Sequence, residues 1–210
     1  MLVGAGAHRK IANFCSGAVR FCKDRRGVAA IEFAFIAPVL LAMYFVTMEV
    51  SQGIETSKKV SRISSMAADL VTQRSSVTEG DLRAIMDIGA STLQPYNRSV
   101  PKIIITEISI SNETTPTATV VWSRKIDGGV FAIGEAAKNT TTVPDSLKIP
   151  GTSLIRVETD LIYKPMITWA ADRKQAMGLS AAFDSISMSE TYYLRARMSP
   201  SIDCSDCNGK

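Results

Sequence analysis

The sequence predicts an α+β protein: a long N-terminal membrane-spanning helix that continues onto an exported head, whose antiparallel sheet has about four strands. Three observations predict it. Residues 28–48 are almost wholly apolar, with Glu32 the only charge among them. Helical periodicity persists beyond that run. A series of short β-rich runs then follows, separated by turn residues.

The chain has 210 residues and is 46% hydrophobic, enough for one ordinary domain with appendages. The apolar residues are concentrated in the run just named. As a helix it covers roughly 31 Å, the thickness of a hydrocarbon core. It is too long for the apolar region of a secretory signal, and no small-residue cleavage site follows it. Pro38 lies mid-run, where it removes a backbone donor and its ring presses on the carbonyl of Ala34. Membrane helices tolerate this, and a kink at Pro38 is expected.

Charge sets the orientation. Arg9, Lys10, Arg20, Lys23, Arg25 and Arg26 precede the run against Asp24 alone, whereas Lys58, Lys59 and Arg62 follow it. The more cationic flank stays in the cytoplasm, so the C-terminal bulk is exported, into the periplasm of a diderm bacterium. The formal net charge of +4 is therefore a feature of one end of the chain, and nucleic acid is not an expected partner.

The cationic stretch closes on Arg25-Arg26-Gly27, followed by Val28-Ala29-Ala30-Ile31-Glu32-Phe33. This resembles the prepilin peptidase site of Tad/Flp-type pseudopilins. The stretch from Arg25 to Phe45 is similar to the TadE/TadG-like family of pilus-assembly proteins, and 149–166 resembles, more loosely, a strand common near the end of these proteins. The resemblance implies a pilin-like plan in the bacterial inner membrane. A prepilin peptidase would cut between Gly27 and Val28 on the cytoplasmic face, and the apolar helix would be kept as the assembly stalk. It makes Glu32 and Phe33 the assembly residues, and other pilins and pseudopilins the partners. The 27-residue leader and the 183 residues after it exceed what the major pilin needs, which favours a minor pseudopilin supporting pilus biogenesis and adhesion. The physics of the motif agrees. Gly27 lets the backbone enter a narrow cleft in extended form. A basic leader holds the site at an anionic surface. A carboxylate in lipid costs about 2.5–3.5 kcal/mol at mid-depth and calls for a partner. The alternative is an uncleaved signal anchor carrying a periplasmic binding module.

Three segments result: a basic leader at 1–27, a transmembrane and stalk helix at 28–74, and a head at 75–210. Val60, Ile63, Ala67 and Leu70 recur at helical spacing, a stripe suited to covering the head's own sheet or to gripping another protein. Thr78-Glu79-Gly80-Asp81 has the form of a capping box opening a short helix that ends at Gly89. Pro95 and Asn97 then close a turn. Residues 102–111 and 117–125 read as a hairpin, although Ile104 and Ile108 break the alternation. Residues 126–152, with four glycines and two prolines, read as a long loop. Residues 154–163 and 189–198 supply two more strands, separated by an ambiguous stretch at 169–183.

Catalysis finds little support. His8, the single histidine, falls in the leader, which removes histidine triads and most zinc sites from consideration. Gly128-Gly129 and Gly134 lack the Lys-Ser/Thr of a phosphate loop, and no acidic pair is legible for acid–base work. No cofactor or metal is expected, and the protein does not read as an enzyme. Cys204 and Cys207, one CxxC near the C-terminus, fit a small structural disulfide in an oxidising compartment.

Overall fold

The computed structural model describes residues 27–166 and 185–207. The leader and the stretch at 169–183 thus lie outside the described residues. The chain divides into two compact units, 1–48 and 49–210.

Helix α1 runs Val28–Thr72, two residues short of the expected end. Its backbone stays helical through Pro38. From Thr56 onward one face is buried, with Val60, Ile63, Ala67, Ala68 and Val71 as its apolar stripe. Ser64 lies within that stripe and donates to the Thr159 hydroxyl at 2.8 Å, which satisfies both polar groups against the sheet. The stripe therefore covers the head's own sheet.

After the two-residue strand β1 (Ser76–Val77), helix α2 spans Glu79–Ser91 and is closed by the capping box. The Thr78 hydroxyl accepts from the Asp81 N–H at 3.1 Å, and the Asp81 carboxylate accepts from the Thr78 N–H at 3.1 Å. The Thr78 hydroxyl also donates to Asp81 Oδ2 at 2.8 Å, and that bond, followed by the one from the Thr78 N–H, holds the Asp81 carboxyl below its ordinary value. Gly89 of α2 packs closely against α1 and β2. A Cβ there would stand 2.9 Å from Ile63 Cγ2 and 3.3 Å from Ile103 Cδ1.

Five antiparallel strands follow, where about four were expected. They are β2 (Lys102–Ile110), β3 (Ala118–Asp127), β4 (Val130–Ile133), β5 (Ser153–Tyr163) and β6 (Ile186–Leu194), in the order β4-β3-β2-β5-β6. The additional strand is β4, inside the stretch read as loop. Gly128 and Gly129 both have positive φ, and their tight turn folds Val130–Ile133 back onto β3. The last strand begins three residues earlier than expected and ends four earlier. A further strand, β7 (Asp203–Cys204), pairs parallel with β1 and ties the C-terminal segment to the start of α2.

Strand β2 alternates its faces without interruption, and the bulge lies in its partner. Glu107 pairs with Trp122 but Ile108 pairs with Val120, so Val121 is extra and β3 changes face there, while β2 keeps an unbroken register with β5. Ile103, Ile105 and Trp122 join the core under α1 and α2. Ile108, Ile110, Ala118 and Leu154 form a second core closed by Val143 from the 134–152 connection. The sheet is thus buried on both faces at the end remote from Tyr163, and a two-sided strand has no reason to alternate apolar with polar residues.

Candidate functional site: the N-terminal helix and its seat on the head

The apolar half of α1 buries almost nothing. Residues 28–48 are exposed nearly throughout, Phe33 at 69% and Phe35 at 75%. This is the one helix among the described residues that is long and apolar enough to cross a membrane. Its few polar groups are handled locally where possible, as in Thr47, whose hydroxyl donates to the Met43 carbonyl at 2.8 Å. Glu32 has no such recourse, and among the described residues it makes no ion pair. Gly27 stands just before the helix with nothing within 4 Å of where a Cβ would be. Val28 opens the helix, so Glu32 is one turn along, about 6 Å further on the same side.

The head proper begins at Glu49. Its Oε1 accepts from the Tyr163 hydroxyl at 2.5 Å and its Oε2 from the Met166 N–H at 3.0 Å, which ties α1 to the end of β5. Tyr163 stacks on Tyr96 at 5.2 Å between ring centroids, and the Arg98 guanidinium lies 4.8 Å from the Tyr96 centroid. Burial, then the bond and charge of Glu49, push the Tyr163 phenol up to about 12, so it remains a donor at any physiological pH.

Residues 27–69 match the family model described as TadE-like protein. The chain carries a TadE-like segment. No curated protein and no solved structure matches the chain. The match starts at Gly27 and ends inside α1, taking in Val28, Glu32, Phe33, Pro38 and Glu49. TadE-like proteins are a pilus structural and assembly family, and the match covers residues 27–69 of the 210 in this chain. The strands lie outside the matched residues.

Of the residues singled out from sequence, the structure gathers Gly27, Val28, Glu32, Phe33 and Pro38 on one exposed helix or its threshold. Cys204 and Cys207 are far along the chain and are joined to each other, with 5.2 Å between their Cα atoms. Their loop is held in place by Arg124, whose Nη2 donates to the Cys207 carbonyl at 2.6 Å and pairs with Glu79 Oε1 at 2.6 Å. Asp206 accepts from the Glu79 N–H at 2.8 Å, an anion at the first turn of α2.

Besides Arg124, two further buried charged residues, Glu107 and Arg156, escaped the sequence reading. Glu107 is fully buried, and its Oε1 accepts from the Ile202 N–H at 2.8 Å while Trp122 Nε1 donates to the Ile202 carbonyl at 2.8 Å. Its other oxygen has no partner. Burial raises the Glu107 carboxyl to about 6, with the Asp203 charge adding to it and the Ile202 bond opposing. Arg156 lies under the 134–152 connection, held by Glu135, Glu158, Thr141 and the Thr142 carbonyl. It borders an open depression of about 590 Å³ with Lys148, Thr191 and Tyr193. Burial raises the Glu158 carboxyl, and Arg156 counters it. Each carboxylate sits inside a β-rich run, and the only signal was an acid in a strand of otherwise buried residues.

Proposed function

We propose that this protein is a minor pseudopilin-like structural and assembly component of a Tad/Flp-type pilus. It is anchored in the bacterial inner membrane by residues 28–48, with the N-terminus cytoplasmic and the head periplasmic. A prepilin peptidase cuts between Gly27 and Val28, and the mature helix docks with other pilins, supporting pilus biogenesis and adhesion. The role is non-catalytic.

One observation carries this reading. A bare apolar helix holds a single carboxylate one turn inside its start, and the TadE-like match begins at the glycine just before it. Cleavage creates an α-ammonium at Val28, largely cationic at neutral pH from its reference value of about 7.7–8.0. In lipid the ammonium and Glu32 are both costly, and pairing relieves both. Within one chain they lie at different depths. Between chains offset along the axis they meet, so the pair sets the stagger while Phe33 and its apolar neighbours pack. Mass spectrometry of protein recovered from membranes tests the first step. A mature chain beginning at Val28 is expected. An intact Met1 terminus in cells expressing the peptidase would replace the pseudopilin with an uncleaved, signal-anchored binding module.

A further inference from the structure

The sheet has two chemically different ends. At one end β2 starts, β5 finishes and β6 starts. Ser99 donates to the Ile162 carbonyl at 2.6 Å, Arg98 Nε donates to the Lys164 carbonyl at 2.6 Å, and Ile186 pairs with Tyr163. These bonds hold Val100, Ile162, Met166 and Ile186 around one end of the sheet. All four are large apolar residues with roughly half or more of their surface exposed, Val100 at 61% and Met166 at 60%. Lys164 lies among them, as does Lys102, whose Nζ is 3.8 Å from Asp160 Oδ2. At the opposite end the loop joining β2 to β3, residues 111–117, carries no large apolar side chain, and the exposed Ile149 and Met198 lie on separate connections.

Glu49 fixes which end adjoins the apolar helix. It follows directly on Met48 and is bonded to Tyr163 and Met166. Chain connectivity alone therefore puts the apolar end of the sheet beside the last residue of the span. Exposed apolar side chains with lysines beside them suit a membrane–water boundary.

We propose that this end of the head rests on the phospholipid bilayer, with Val100, Ile162, Met166 and Ile186 entering the headgroup region and Lys102 and Lys164 facing lipid phosphates. The proposal rests on the membrane span of the preceding section. It makes the head a lipid-seated body held at a set height above the membrane before assembly. Extraction into a filament then requires leaving that surface.

Collision accessibility of a nitroxide label tests it on the full chain in bilayers of phosphatidylethanolamine and phosphatidylglycerol. Cys15 and Cys22 are replaced by serine, and the closed Cys204–Cys207 pair does not react. Labels at Ile162→Cys and Met166→Cys should show an oxygen-to-nickel-chelate collision ratio several-fold above that of Ile149→Cys at the far end of the sheet. A label at Leu40→Cys reports the span itself. If Leu40→Cys reads lipid while positions 162 and 166 match 149, the inference fails and the span stands. Low collision with both relaxants at 162 and 166 also overturns it, by showing a protein neighbour there. An aqueous reading at Leu40→Cys overturns the span and this inference together.

Discussion

Replacing Glu107 with glutamine should abolish most of the pH dependence of the head's stability between pH 5 and pH 8. The group has a raised folded-state value of about 6 against 4.5 for an ordinary glutamate. A raised value means that the folded state binds the proton more tightly. The stabilisation is therefore fully present below about 4.5 and is lost as pH rises through about 6. The shift corresponds to about 2 kcal/mol. Because pH 5 already lies above 4.5, about 1 kcal/mol of it is lost between pH 5 and pH 8, and for a chain of this size that is a Tm about 2–5 °C lower at pH 8 than at pH 5. Glu107→Gln keeps an acceptor for the Ile202 N–H and removes the titration. Its amide introduces donors beside an oxygen that had no partner, but any constant cost cancels when each protein is compared with itself across pH. Other shifts do not mimic the result. Asp81 and Asp145 are lowered from 3.8, so their contributions are lost only below the window. Glu158 is raised and adds a slope of the same sign, which the variant retains. The assay is thermal unfolding of the detergent-solubilised chain at half-unit pH steps. If Glu107→Gln kept the full wild-type slope, the buried carboxylate would not be its source.

Four further outcomes are expected. Gly89→Ala gains about 1 kcal/mol of helix propensity but drives a methyl into Ile63 and Ile103, an overpacking that costs about 1–3 kcal/mol. Ile63 is β-branched and confined in its helix, so a net loss should appear in urea unfolding. Thr78→Ala removes the cap of α2 and should cost about 1 kcal/mol in the same assay. Replacing both Cys204 and Cys207 with serine opens a short loop and should cost no more than about 2 kcal/mol. Alkylation with and without reductant checks that the pair is oxidised in exported protein. Glu32→Gln should leave insertion and cleavage intact but sharply reduce piliation seen by electron microscopy, with Glu32→Asp retaining part of it. Normal piliation in Glu32→Gln cells would remove the docking role.

Local chemistry was legible wherever a segment's neighbours in sequence are also its neighbours in space. The length and composition of 28–48 gave the exposed helix, the spacing of Val60, Ile63 and Ala67 gave its buried stripe, and Thr78 with Asp81 gave the cap. The hairpin of β2 and β3 followed from alternation and the turn at 112–116. The short strand β4 did not, because four residues after a Gly-Gly turn carry too little periodicity to stand out from a loop. Glu32 and Gly27 could be singled out in sequence because a charge in an apolar run and a glycine at its edge need no tertiary context to be unusual.

Sequence by itself determined the apolar helix, its motif, its flanking charges and the α+β character of the head, since each depends on residues within a few turns of one another. Only the tertiary structure decided that β2 lies between β3 and β5, that a bulge at Val121 turns Ala118 of β3 toward the second core, and that Glu49 binds Tyr163. Only it made Glu107 a buried clamp on Ile202. The two carboxylate contacts join residues 95 or more positions apart, β2 and β5 pair across 44 or more, and the second core depends on which face of a strand is covered. A carboxylate in a β-rich run looks the same in sequence whether it meets water, a guanidinium or a lone backbone amide. Its energy is set by what folding brings against it.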